Sequence, residues 1–498
     1  MIRDYKYTRY WFTYWIRHGV PGASRVIRIE AYFESILDFF QRYHRRYGRI
    51  YGGYFFLQKY LVVNEPELVR DIMAKDFHIF PDHYHMALGN TRLNMTLFFM
   101  HGGDDWKRVR SVITPAFTSG KLKTMMGNIS DICDTFVTTI SKYSNTGQTV
   151  DMRKYFGGFA MDVIGACAYG VTVDAINNPD HPIVVNAKKI FSENSSWSNA
   201  VSVLCPPLAR FLNLEPFQPE GILYFERLAE KIIAERKAEN KNGKSIKRMD
   251  FIQLMIDSET TDNPNSDYSY NKNDNNINSI HTTNDNTTKL TTSWWLTKDE
   301  MIAQGITFFI AAYDTTSASL THCIYYLAKY NDCQEKLYEE LRGLKSDEYT
   351  FERLSELRYL NACIDETLRI APPLANFQRE CNQDYKLGNT GITIPAGTTV
   401  EIQPLTIHRD PDFFYDPDEY IPERFLNPTH PSNAYMPFGG GPRACLGNRF
   451  ALNEMRMCIA KLISKYEFTL TPEFKIDYYL GNILFTPKEV LVKINSRI

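Results

Sequence analysis

The 498-residue sequence has no surplus of charge of either sign: 56 Lys and Arg stand against 58 Asp and Glu. Without a cationic excess to neutralise phosphates, nucleic acid is excluded as a partner. The 9 cysteines are odd in number and scattered, form no CxxC pair and follow no signal peptide. That pattern excludes a disulfide scaffold and the common Cys/His zinc modules, and it fits a reduced, intracellular protein. No apolar run reaches the ~20 residues that a spanning helix needs. The aromatic stretch from Tyr10 to Ile16 is short and lies between Arg9 and Arg17. No period of ~20–50 residues repeats, so solenoids and propellers are excluded too.

The N-terminus keeps two readings. Residues 1–20 are either a segment packed on the surface or an interfacial anchor. In the second case Trp and Tyr would sit at the level of lipid headgroups, with Arg9, Arg17 and His18 facing phosphates. Residues 21–498 read as one domain, although length alone leaves room for about three. Apolar residues recur at three- and four-residue spacing in "EPELVRDIMAKDF", "DDWKRVRSVITPAF", "YFERLAEKIIAERKAEN" and "CQEKLYEELRGL". Strand-like runs are few: 54–63, 391–403 and "VLVKI" near the end. The expected fold class is therefore mainly α, with a minor β-sheet. Between Thr261 and Thr292 the chain is dominated by Asn, Asp, Thr and Ser. It offers too little apolar surface to offset its ordering entropy and is expected to be a disordered loop. A domain boundary is the alternative, but the motifs below lie on both sides of it.

Aromatics are abundant, with 31 Phe and 31 Tyr, enough to fill a large core and line an apolar cavity. After the polar loop, Thr297 and Glu300 have the form of a capping box ahead of a long helix that is apolar nearly all round. Its interior holds "AAYDTTS", and Asp314, Thr315 and Thr316 favour caps and turns over helix interiors. Near the C-terminus "MPFGGGPRACLG" gathers four glycines around Cys445. Gly439, Gly440 and Gly441 allow positive φ and the close approach of backbone to something flat. A thiolate there could bind a metal, with Arg443 beside it for a carboxylate. A plain glycine-rich turn with an incidental cysteine is the other reading.

The full spacing, Phe438-x-x-Gly441-x-Arg443-x-Cys445-x-Gly447, resembles the FxxGxRxCxG haem-binding loop of the cytochrome P450 superfamily at every defined position. The resemblance runs from about Tyr14 to the C-terminus. It implies the P450 fold, a helix-rich core around a buried haem b, with Cys445 as axial thiolate on the iron. Arg443 would pair with a haem propionate, and Phe438 would pack beside the sulfur. "DETLR" and "YIPERF" supply Glu366, Arg369 and Arg424, which by the same resemblance form a buried ion network behind the haem. On spacing alone Glu366 and Arg369 are only a helical i,i+3 pair. Trp106 and Arg110 lie one helical turn apart and resemble the helix that donates to the propionates. "WKRVRSVITPAFTSGKLK" is similar to the microsomal branch that handles drugs and other foreign lipophiles. Relatives place a propionate-binding arginine where Asn376 stands, and Arg379 is a weaker basic candidate nearby.

Asp314 and Thr315 match the family's acid–alcohol pair, which delivers protons through water during oxygen activation. Ala312 stands where Gly is usual, which would tighten the oxygen groove. The function implied is a haem-thiolate monooxygenase that inserts one atom of O2 into a lipophilic small molecule. Electrons would come from an NADPH-dependent flavoprotein reductase, with cytochrome b5 as a further donor. Phe308, Phe309, Ala312, "PPLANF" and "HYHMALGNTRLNMTLFF" are expected to line an apolar pocket. A haem-thiolate isomerase or dehydratase working without a reductase is one alternative, and a non-enzymatic haem-binding protein is another. The location implied is the cytoplasmic face of the endoplasmic reticulum membrane. Microsomal relatives carry an anchor before the "GVPG" region, so attachment here is expected to be peripheral, or the natural start lies upstream.

Overall fold

The computed structural model describes residues 13–26, 34–55, 58–84, 86–89, 91–190, 205–241, 250–259, 296–480 and 484–497, with residues 30, 198, 201, 202 and 248. The polar segment 261–292 and residues 1–12 lie outside these.

The described chain is mainly helical. Its centre is a 32-residue helix, Lys298–Lys329, opened by the expected capping box: the Thr297 side chain accepts from Glu300 N–H, and Glu300 returns the contact. The odd interior does not break it. Thr307, Thr315, Ser319 and Thr321 each donate a hydroxyl to the carbonyl four residues back. Their competing polarity is thus satisfied within the helix. Helices Met152–Ile164, Pro219–Lys241, Arg358–Ile370 and Asn448–Lys465 surround it.

Local chemistry sets the other boundaries. Asp104–Ile113 tightens into a 3₁₀ turn at Thr114–Phe117, where Pro115 supplies no N–H. The expected helix over "EPELVRDIMAKDF" is α only from Pro66 to Arg70 and continues as a π turn, Asp71–Lys75.

The largest sheet has five strands in the order Gly22–Val26, Ile50–Phe55, Gln58–Val63, Thr399–Ile402, Phe377–Glu380. The run expected at 54–63 is thus a hairpin rather than one strand. The run at 391–403 is two short strands, Thr393–Ile394 and Thr399–Ile402. Trp15 packs on this sheet. Its ring lies where a Cβ on Gly52 would fall, and its indole N–H donates to the Gly53 carbonyl at 3.2 Å. Trp15 is therefore core, whereas the interfacial reading placed it among headgroups. No helix among the described residues is long and apolar enough to cross a membrane.

A thiolate loop and its buried cations

The loop carrying Cys445 is shaped from both ends. Gly439 and Gly441 have φ of 73° and 67°, and the Cys445 N–H donates to the Phe438 carbonyl at 2.9 Å. A Cβ on Gly441 would lie 1.8 Å from the Met73 carbonyl oxygen, on the π turn. The bare Cα of this glycine thus makes room for another backbone. Arg110 closes the other end, donating to the Ala444 carbonyl at 2.8 Å.

Cys445 is the one exposed cysteine; seven of the other eight are buried and Cys205 is intermediate. Burial nevertheless pushes its thiol up, while the Gly447 N–H and the Arg110 charge pull it down. A sulfur both accessible and desolvated opens onto interior space. Helix Asn448–Lys465 begins three residues on, and its N-terminal dipole also favours the thiolate.

The expected anion donors cluster here. The Arg443 guanidinium lies 4.3 Å from the Trp106 ring centroid and reaches the carbonyls of Pro81, Leu97 and Met100 at 2.9, 3.1 and 2.8 Å. Trp106 Nε1 donates to the same Leu97 carbonyl at 3.2 Å. All three side chains expected at the propionates, Trp106, Arg110 and Arg443, thus donate to backbone carbonyls. Arg379 differs. It is buried on the strand Phe377–Glu380, with Nη1 on His83 Nδ1 at 3.0 Å and on the Gln378 carbonyl, and its Nε has no partner. Burial pulls Arg379 down to about 9, with the Arg443 charge adding to it. Arg443 is pulled down to about 10 by burial, against the opposing pull of Asp82, 3.6 Å away. Asn376 is also buried, and its Oδ1 is unpartnered.

Three desolvated guanidiniums, one acid and one orphaned N–H make a seat short of negative charge. An accessible thiol lies on the neighbouring loop. This donor set fits a haem: sulfur for the iron, cations for two propionates.

The ion network is present as expected. Glu366 takes two bonds from Arg369, at 2.7 and 2.8 Å, one from Arg424 at 3.0 Å, and the Ile421 N–H at 2.8 Å. Glu366 and Arg369 are fully buried and Arg424 nearly so.

On the central helix the acid and alcohol part company. Thr315 and Ala311 lie on its accessible side. The buried Asp314 carboxylate instead pairs with Arg153, which also donates to Ser317 Oγ at 2.6 Å. Phe309, expected in the pocket, is packed against Tyr169 and Phe225 at 4.3 and 4.6 Å. Phe308 lies on the accessible side, 6.1 Å from Phe117, whose ring also borders Gly447. Phe117 thus joins the Thr315 side of the helix to the thiolate loop.

A cleft of about 770 Å³ lies between the 83–101 segment, the short helix Pro206–Phe211 and the sheet. Of the residues expected to line an apolar pocket, only those of the 83–99 segment border this cleft; Phe308, Phe309, Ala312 and "PPLANF" do not. Met86, Leu88 and Phe99 do line it, but so do His83, Arg210 and Glu380.

Arg153, Asp82 and Met73 carry no motif; only the fold brings them to the site.

The profile of the cytochrome P450 family matches residues 25–494, and the chain belongs to that family. It is 30% identical to cytochrome P450 3A29 of Sus scrofa over 517 residues, spanning all of this chain and 95% of the relative. It is 31% identical to cytochrome P450 3A9 of Rattus norvegicus, over 96% of this chain and 92% of that protein. Cytochrome P450 3A7 of Homo sapiens is 29% identical over the same shares. The protein is accordingly a monooxygenase-type oxidoreductase whose cofactor is haem b bound through a cysteine thiolate.

Proposed function

We propose that the protein oxygenates a lipophilic small molecule, with Cys445 as the haem ligand. Electrons come from an NADPH-dependent flavoprotein reductase, and cytochrome b5 serves as a second donor. The setting is the cytoplasmic face of the endoplasmic reticulum membrane.

The observation that carries this reading is the Cys445 sulfur, held accessible yet desolvated beside Arg110 and the Gly447 N–H. The bound haem supplies the oxygen chemistry, which thiolate donation favours.

The chain's own residues hold and guard it. Arg379, with its free Nε, and Arg443 hold the propionates. Glu366, Arg369 and Arg424 fix the backbone behind the loop. Thr315, on the accessible side of the central helix, holds a proton at Oγ1 and can pass it on through water. Asp314, on the buried side and tied to Arg153, anchors the helix that presents that hydroxyl. Ala312 narrows the groove next to it.

The test is turnover with and without reductase. NADPH consumption should require the reductase, and Thr315→Ala should separate consumption from product formation. Equal product from peroxide alone, unchanged by Thr315→Ala, would point to the isomerase or dehydratase class instead.

A further inference from the structure

His408 belongs to none of the motifs above, yet three bonds of the site pass through it. It is fully buried at the end of the short helix Pro404–Ile407. Arg369 Nη1 donates to the His408 carbonyl at 2.7 Å. In return, His408 Nδ1 lies 3.1 Å from the Arg369 carbonyl. The other ring nitrogen, Nε2, lies 3.0 Å from the Met436 amide nitrogen. A carbonyl can only accept and an amide N–H can only donate, so the tautomer is fixed: a neutral ring with its proton on Nδ1. Burial and the Arg369 charge hold this imidazole down to about 3, in keeping with that neutral form.

Met436 is the first residue of "MPFGGGPRACLG". Its carbonyl accepts from Gly439 N–H at 3.1 Å, and the Phe438 carbonyl then accepts from Cys445 N–H. A hydrogen-bonded path therefore runs from Glu366 through Arg369 and His408 into the loop that ends at the sulfur. The loop needs outside support, because four glycines leave its backbone with little intrinsic preference. Gly441 against Met73 and Ala444 against Arg110 pin its far half. His408 pins its start.

We propose that His408 is a positioning residue for the thiolate: by accepting the Met436 N–H it transmits the rigidity of the buried ion network to the loop and so sets where Cys445 Sγ sits. This rests on Cys445 being the haem ligand. Loss of the acceptor leaves a buried N–H unsatisfied and frees the loop to shift.

The experiment uses holoprotein with His408→Gln, His408→Asn and His408→Leu. Each is read by the carbon monoxide absorption band of the reduced form, the melting temperature, and amide hydrogen exchange in residues 436–447. Gln places an oxygen near the Nε2 position and keeps the acceptor for Met436. Asn keeps only a donor near Nδ1, and Leu keeps neither. All three should melt earlier. Gln should retain the strongly red-shifted thiolate band. Asn and Leu should lose most of it, with exchange in 436–447 about tenfold faster.

The proposal is overturned if Leu keeps the band and merely melts earlier. It is also overturned if Gln loses the band as fully as Asn does, or does not fold. A wild-type protein without the band overturns the haem reading itself, whatever the variants do.

Discussion

At the scale of single residues, the glycines of the thiolate loop look alike in sequence and differ in the structure. Gly441 combines a φ of 67° with a backbone oxygen 1.8 Å from any added Cβ. Gly439 shares the positive φ, but a Cβ there meets only ordinary contacts, the Phe377 ring at 3.6 Å and the Met73 methyl at 3.7 Å. Gly447 has a φ of −86° and 3.7 Å of clearance to Phe117. Alanine at these positions should therefore give a graded series in haem retained per mole of purified protein. Gly441→Ala should abolish binding, Gly439→Ala should cost about 1–2 kcal/mol of stability, and Gly447→Ala should be close to neutral. Equal effects at all three would contradict this account of the loop. The four glycines and the cysteine were legible in the sequence. The reason for Gly441 was not, because the Met73 carbonyl that demands it is more than 360 residues away in the chain. Arg379 stood out only faintly for a similar reason. An arginine in a strand is ordinary until burial leaves its Nε without a partner.

At the scale of elements, the central helix was readable in outline: the capping box, the apolar girth and the acid–alcohol pair could all be seen. What could not be seen was that Asp314 and Thr315 serve different sides. A helix turns about 100° per residue, so neighbours diverge, but which side meets a cation depends on packing. Here helix Met152–Ile164 delivers Arg153 to Asp314. Arg153→Met should leave that buried carboxylate without its counter-charge and cost about 3–5 kcal/mol. Thermal unfolding checks this, and the double variant Arg153→Met/Asp314→Asn should recover much of the loss. If the single variant melts like the wild type, the pair is not holding the two helices. The pocket reading failed at Phe309 for the same reason as at Asp314: periodicity gives faces, and tertiary packing decides which face lines a cavity.

At the scale of the whole molecule, burial sets the response to acid. His322 and His408 are both fully buried, and desolvation pushes each down to about 3. In the unfolded chain a histidine takes up its proton near 6.5. Below that pH the unfolded state gains protons that the native state refuses, so stability falls. The loss begins near pH 6.5 and accumulates towards pH 3. Urea midpoints should therefore drop between pH 7.5 and pH 5.5 by an amount equivalent to about 2.7 kcal/mol, about 1.4 for each ring, and His322→Phe should flatten the slope. A midpoint that stays level over that range would contradict the neutral, buried state of these rings. The helical class and the order of the main motifs were clear from the sequence. The five-stranded sheet was not, because it pairs Gln58–Val63 with Thr399–Ile402, and no local pattern announces a partner so distant.

The most direct measurement is the absorption of the reduced, carbon monoxide-treated protein, compared with Cys445→His. The wild type should show the strongly red-shifted band of a thiolate-ligated haem. The variant should bind haem without that shift. A wild-type band of the histidine-ligated kind, or an unchanged band in Cys445→His, would contradict the central claim.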